Sequence, residues 1–147
     1  MPGPYPEIWG TSVELHDYAH KADLYGPVIK YEQVLAAAGM CKFVAPQGTF
    51  PLLEFIIAAT GWEYNTHGML ETGERIQNMR QLFNIREGIN PLQLQLPARI
   101  CQPPTTGPHK DDSTVDFDLT RSQYYQAMGW NTETGLPNVT KLKELGL

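Results

Sequence analysis

The sequence has few charged residues, few cysteines and no long apolar run, and each shortage excludes a class of protein. Charged side chains make up 18% of the 147 residues, and the formal net charge is −5. The 11 lysines and arginines form no cluster, so we expect no surface for nucleic acid or for an anionic membrane. No apolar stretch approaches the roughly 18 residues that span a bilayer. Two cysteines are too few for a disulfide scaffold.

The remaining composition is sufficient for one folded domain. Hydrophobic residues make up 41% of the chain, which supplies one modest core. The 13 glycines and 12 prolines indicate long irregular connections between folded elements. The N-terminus has neither a basic nor an apolar signal region, so we expect a soluble, cytoplasmic protein. We divide the chain into an irregular lead-in at residues 1–20 and a helical domain at residues 21–147.

Apolar periodicity and capping residues predict about five helices. The predicted fold class is therefore mainly α, an irregular helical domain with long Pro-rich connections. The helices are expected at about residues 27–38, 51–60, 67–87, 117–128 and 138–145. Pro27 is expected at the first position of its helix, where the missing N–H costs nothing. Thr49, Thr66 and Asp116 are the expected N-caps, and Gly39 is an expected left-handed C-cap.

Two of these helices carry specific packing predictions. Apolar side chains surround the helix at 51–60, which predicts burial on nearly every side. The helix at 67–87 has a single apolar stripe, formed by Met69, Ile76, Met79 and Phe83. Gly73 lies on that stripe. Because a glycine inside a helix costs about 1 kcal/mol, we expect a neighbouring backbone to approach it closely.

Two interpretations of Cys41 follow from the residues alone. It comes just after the first helix and beside Lys42, where backbone N–H groups and a cation can favour a metal-ligating thiolate. It can equally be a small buried hydrophobe. Cys101 lies in the Pro-rich arm at residues 89–113. With no Cys-x-x-Cys and no histidine at metal-ligand spacing, this chain cannot complete a metal site alone.

The remaining polar residues suggest no complete active site. His16 and His20 are expected to be a solvated pair, His67 a surface residue, and His109 an unactivated residue of the arm. No Gly-rich phosphate loop and no nucleophile–base arrangement is present. Composition and spacing therefore do not identify a function.

Several short segments, in a fixed order, do suggest a family. They are AGMCKF at 38–43, GERIQN at 73–78, LFNIREG at 82–88, LPAR at 96–99, YYQAMGW at 124–130, GLP at 135–137 and KLKELGL at 141–147. Together they resemble the C-terminal domain of the tungsten-containing aldehyde:ferredoxin oxidoreductase family, from about Lys21 to the last residue.

The resemblance implies a cofactor-binding role for the segment around Cys41. In that family a longer subunit encloses a tungsten (or molybdenum) bis-pterin and a [4Fe–4S] cluster, and a cysteine of the C-terminal domain is the fourth cluster ligand. Cys41 takes that position, with Met40 and Lys42 as its cofactor-binding neighbours. The family usually has a pterin-binding Asp three residues before the glycine of this segment. Here that position is Ala36.

The implied reaction is the oxidation of an aldehyde to a carboxylate, with electrons passing through the cluster to ferredoxin or another electron-transfer protein. Relatives act on aromatic acyl-CoA thioesters, so the substrate class stays open. The alternative is a stand-alone helical scaffold or interaction module that retains the fold without redox chemistry. The expected partners are the remaining domains or subunits of the enzyme.

The resemblance also predicts how the chain behaves by itself. We expect it to be inactive, to bind neither iron nor tungsten, and to self-associate through exposed apolar residues around Met40, Phe43 and Val44. The Cys41 sulfur should lie at the surface, just past a helix end. Cys101 matches no ligand position and should be dispensable.

Overall fold

Six α-helices are present in the computed structural model, which describes residues 5–9, 13–14, 17–44, 50–108, 110 and 114–147. They are α1 (Pro6–Trp9), α2 (Lys21–Ala37), α3 (Leu52–Thr60), α4 (Thr66–Arg86), α5 (Phe117–Ala127) and α6 (Val139–Glu144). Short 3-10 turns lie at Lys42–Val44, Pro91–Gln93 and Ala98–Cys101. The described ranges contain no strand, so the prediction of a mainly α, irregular fold is confirmed. No helix within them is long and apolar enough to cross a membrane.

Helix α2 lies at the centre of the fold and packs against α1, α4 and α5. Two clusters of buried residues flank it. The first joins α1, α2, α3 and α4 through Tyr5, Ile8, Tyr31, Val34, Leu35, Leu52 and Met69. The second joins α2 to α5 and the chain after it through Ile29, Tyr125, Met128 and Trp130. The position of α2 therefore depends on both clusters.

Part of the predicted irregular lead-in belongs to the first cluster. Residues Pro6–Trp9 form α1, and Tyr5 and Ile8 are each only 2% exposed. The hydroxyl of Tyr5 donates to Glu54 Oε2 (2.6 Å) and accepts from the N–H of Leu53 (2.9 Å). These contacts attach the start of the chain to α3.

Helix α2 begins earlier than the sequence predicts. It starts at Lys21, so Pro27 lies inside the helix and the prediction of a helix start at Pro27 is wrong. A proline disfavours helix at the preceding residue by colliding with its Cβ. That residue is Gly26, which has no Cβ, and this removes part of the steric cost.

Helix α3 is much less buried than predicted. Leu52 is its only buried residue, and Phe55 is 58% exposed although it stacks on Phe50. The helix lies at the edge of the first cluster, so only one side of it meets the core. The expected cap Thr49 lies outside the described residues, and Pro51 takes the N-cap position without a side-chain hydrogen bond.

Helix α4 buries a different face from the predicted stripe. Met69 is fully buried, but Met79 and Phe83 are each 54% exposed. Beyond Met69, the buried residues are Gly73, Glu74 and Asn78. The close approach predicted at Gly73 is confirmed, because a Cβ there would overlap the backbone carbonyl of Lys30 in α2.

Polar partners explain the altered face of α4. Glu74 accepts ion pairs from Lys30 (3.0 Å) and from Lys141 of α6 (3.2 Å). The side-chain amide of Asn78 accepts a hydrogen bond from the indole of Trp130 (2.8 Å). Buried polar groups are tolerated when they are paired in this way.

Among the predicted N-caps that lie in the described residues, one is confirmed and one is wrong. The carboxylate of Asp116 accepts from the N–H of Leu119 (2.9 Å) at the start of α5, as predicted. Helix α4 is capped by Asn65, whose side chain accepts from the N–H of Gly68 (2.8 Å), and not by Thr66.

Candidate functional site

The segment before Cys41 is a well-formed helix ending. The N–H of Gly39 donates to the carbonyl of Ala36 (3.0 Å), and the N–H of Met40 donates to the carbonyl of Leu35 (3.1 Å). Gly39 has φ +74°, the left-handed conformation expected of it. This pair of bonds is a Schellman motif, in which glycine reverses the chain as the last helical carbonyls are satisfied. The direction in which the chain leaves α2 is therefore fixed locally.

The three predicted site residues face different surroundings immediately after this turn. Met40 is partly buried and packs against the first core cluster. Cys41 is exposed, and its carbonyl accepts from the N–H of Val44 (3.0 Å) to close the 3-10 turn. Phe43 is 87% exposed and Val44 is 48% exposed. Met40 thus anchors the segment while Cys41 and the next residues face outward.

These positions decide between the two structural interpretations of Cys41. A buried hydrophobe is excluded because Cys41 is exposed. The predicted surface position just past a helix end is confirmed, as is the predicted exposure of Phe43 and Val44. The role of Cys41 as a metal ligand stays a prediction.

Lys42 makes an ion pair that the sequence analysis did not anticipate. Its Nζ lies 3.2 Å from Oε1 of Glu32, which is five residues before the end of α2. The Lys42 side chain is 72% exposed, so the pair adds little stability. Glu32 nevertheless draws the cation back along the helix. No sequence pattern indicates this pair, because Lys42 and Glu32 are not neighbours on one helix. The turn at Gly39 reverses the chain and brings them together.

Within the part of the chain that the structure describes, Cys41 belongs to no cluster of metal-ligating side chains. The described residues contain no group of three or more His, Cys, Asp or Glu side chains able to hold a metal ion. Cys101 ends a 3-10 turn on the Pro-rich arm, and neither cysteine is in a disulfide. Cys41 is therefore an exposed thiol immediately before a 3-10 turn. The first N–H groups of such a turn have no acceptor within it.

The other polar candidates lie apart from this segment. The imidazole Nδ1 of His20 lies 2.7 Å from Asp17 Oδ2, and this hydrogen bond raises the pKa of His20 and lowers that of Asp17. His67 is exposed, as the sequence predicts. His16 and His109 lie outside the described residues.

Comparison with known proteins identifies the family. The family model described as "Aldehyde ferredoxin oxidoreductase, domains 2 & 3" matches residues 4–147. The chain belongs to this family. It is 34% identical over 148 residues to the tungsten-containing aldehyde ferredoxin oxidoreductase of Pyrococcus abyssi, and 32% identical to that of Pyrococcus furiosus. Each alignment covers 97% of this chain.

The aldehyde ferredoxin oxidoreductase relatives are much longer than this chain. The alignment covers 24% of the Pyrococcus abyssi and Pyrococcus furiosus proteins. The chain therefore corresponds to the C-terminal region of an oxidoreductase, and other parts of such an enzyme are plausible partners. Its segment around Cys41 carries an exposed cysteine on a turn whose backbone is held by the Schellman motif.

Proposed function

We propose that this chain is the C-terminal part of a tungstopterin and iron–sulfur oxidoreductase, and that Cys41 is its ligand to a [4Fe–4S] cluster. The reaction proposed for the complete enzyme is the oxidation of an aldehyde to a carboxylate. One water oxygen is added to the aldehyde carbon, three protons are released, and two electrons leave for ferredoxin or another electron-transfer protein. The cluster, when bound, would carry these electrons one at a time.

The observation that supports the proposal is the placement of Cys41 in a chain of this family. A cluster shared between two parts of an enzyme needs a thiolate at the surface of each part, on a backbone that is already fixed. Gly39 and Met40 fix the backbone through the Schellman motif, and Cys41 is exposed immediately after it. Exposed Phe43 beside it supplies apolar surface that a neighbouring domain would cover.

The proposal gives Met40 and Lys42 supporting roles. Met40 holds the turn against the core and so limits the positions that the Cys41 sulfur can reach. Lys42 is the cation of this segment, and its Nζ pairs with Glu32. Replacing Glu32 by Gln should therefore free this positive charge for the bound cofactor.

The test compares Cys41→Ser with Cys101→Ser in the enzyme assembled from this chain and its partner domains or subunits. Cys41→Ser should lose the cluster, seen as a fall from about four cluster irons and loss of absorption near 400 nm, together with loss of aldehyde oxidation. Cys101→Ser should keep both. Retention of the cluster and of its reduced-state electron paramagnetic resonance signal in Cys41→Ser would contradict the proposal.

One observation favours the alternative of a scaffold or interaction module without redox chemistry. Ala36 replaces the Asp that the family resemblance implies for pterin binding, and it is exposed on the last turn of α2 with no polar side chain to offer. A relative acting on aromatic acyl-CoA thioesters is a further candidate. Metal analysis of the assembled protein separates the scaffold from both enzymes, since only the enzymes contain tungsten or molybdenum and iron.

A further inference from the structure

A second site lies on the side of α2 that faces α5. A cavity of about 290 Å³ opens between α2, α4 and α5, and it shares no lining residue with the segment around Cys41. Its volume is at the lower end for ligand pockets, roughly 300–1,000 Å³. It therefore suits a molecule of one or two rings.

Five of the ten residues that line the cavity are aromatic. They are Tyr25, Phe117, Tyr124, Tyr125 and Trp130. The ring of Tyr124 lies 5.6 Å from that of Trp130 in an edge-to-face arrangement and 5.5 Å from that of Tyr25. Such walls favour a planar aromatic guest, because ring edges and faces gain from stacking beyond the area that they bury.

Two polar groups of the cavity wall can donate hydrogen bonds to a ligand. The hydroxyl of Tyr124 accepts from the side-chain amide of Gln77 (2.9 Å), so its own proton is left to donate. Burial raises the pKa of Tyr124, which keeps this proton in place at neutral pH. The guanidinium of Arg121 supplies the positive charge, and its side chain is only 20% exposed.

Arg121 retains donors for a ligand. One of its nitrogens pairs with Asp118 Oδ1 at 2.9 Å, and another reaches the carbonyl of Leu92 only at 3.4 Å. Asp118 is 83% exposed, so water competes for that ion pair and it is weak. A guanidinium has five N–H donors, and a carboxylate can take two of them side by side.

We infer that this cavity binds a planar aromatic carboxylate, with the rings between the aromatic walls and the carboxylate held by Arg121 and the hydroxyl of Tyr124. The inference does not rest on the proposed function, since the cavity is separate from Cys41. Tyr25, which is 46% exposed, and Leu94, which is 55% exposed, form the mouth through which the ligand enters.

Three matched compounds test the chemistry: 2-naphthoate, the uncharged 2-naphthamide and the ring-saturated decahydronaphthalene-2-carboxylate. The readout is the indole N–H signal of each tryptophan in nitrogen-15 NMR of the chain. We expect 2-naphthoate to shift Trp130 in a saturable way and to leave Trp62 unchanged, since Trp62 lies before α4 and outside the cavity. The amide and the saturated acid should each bind about tenfold more weakly.

Two variants and one matched control locate the carboxylate. Arg121 lies over the ring of Phe117, and Arg86 lies over the ring of Phe83 outside the cavity in the same manner. Arg121→Gln should weaken 2-naphthoate about tenfold and abolish its preference over 2-naphthamide, whereas Arg86→Gln should change neither. Tyr124→Phe removes only the hydroxyl and should weaken 2-naphthoate about threefold.

The same measurements can overturn the inference. If 2-naphthoate causes no saturable shift of Trp130 at millimolar concentration, the cavity is not a site for this class of ligand. Equal binding of naphthoate and naphthamide would remove the carboxylate from the assignment. An equal loss in Arg86→Gln and Arg121→Gln would place the ligand elsewhere on the chain.

Discussion

The substitution Gly73→Ala tests the contact that sets the distance between α2 and α4. Two effects of opposite sign compete. Alanine is the better helix former by about 1 kcal/mol, so a solvent-facing site would gain stability. At Gly73, however, the added Cβ would overlap the carbonyl oxygen and carbonyl carbon of Lys30, and it would lie 2.9 Å from the Cα of Lys30. Backbone atoms cannot rotate away, so the two helices must separate.

The steric effect should exceed the gain in helix propensity. Overpacking in a well-packed interior costs about 1–3 kcal/mol and occasionally more, and an overlap with backbone belongs at the upper end of that range. Subtracting the propensity gain leaves a net loss of about 2 kcal/mol. For a chain of this size that lowers the Tm by about 6 °C. Urea unfolding followed by circular dichroism measures the same loss in free energy of unfolding, seen as a lower midpoint urea concentration.

Gly61→Ala is the matched control for the Gly73 experiment. Gly61 has φ +71° with no atom within 4 Å of an added Cβ, so its alanine variant suffers only the cost of the left-handed backbone, about 1–2 kcal/mol. Gly73→Ala should in addition alter the surroundings of the Trp130 indole, because Asn78 on the same helix is its partner. A Gly73→Ala protein as stable as the wild type, with an unchanged Trp130 indole N–H signal in nitrogen-15 NMR, would refute the reasoning.

Three further predictions concern ionisable groups. Glu74→Ala leaves two lysines of α2 and α6 without their shared carboxylate, and we expect a loss of about 3 kcal/mol in urea unfolding, against little change for the exposed control Glu87→Ala. His20 should titrate by NMR above its ordinary pKa of 6.5, and Asp17→Asn should return it toward that value. Burial and the hydrogen bond to Glu54 raise the pKa of Tyr5 above 10.0. Because the fold favours the neutral phenol, its contribution to stability is complete below pH 10 and declines as the pH rises toward the folded pKa. We expect the phenolate absorbance of Tyr5 at 295 nm to appear at a higher pH than that of an exposed tyrosine.

The sequence predicted those parts of the fold that neighbouring residues determine. The left-handed Gly39 and the cap at Asp116 were found because each depends on the conformational range of one residue or on a bond within one turn. The close approach at Gly73 was found because a glycine inside a helix is costly unless packing requires it. The start of α2 was missed because Pro27 is ordinarily read as a boundary. The preceding Gly26 removes part of the steric cost of an interior proline.

The misses in packing have a different physical cause. Apolar periodicity assumes that the buried face of a helix is its most hydrophobic face. In α4 the buried face includes Glu74 and Asn78, whose partners come from α2, α6 and the chain after α5. Those partners are distant in sequence, so the apolar pattern within one helix cannot predict them. The same applies to α3, whose apolar side chains are exposed because too few elements meet there.

The exposed apolar residues are themselves evidence about the whole molecule. Met79 and Phe83 on α4, Phe55 on α3 and Phe43 beside Cys41 are all more than half exposed, in a chain whose interior consists of two small clusters. A free-standing domain rarely leaves so much large apolar side chain in water. An oxidoreductase of which this chain matches one quarter has other domains available to cover it. We therefore propose that another part of the enzyme covers the surface bearing Phe43 and Cys41, and an exposed thiol at such a surface is available to a ligand site shared between the two parts.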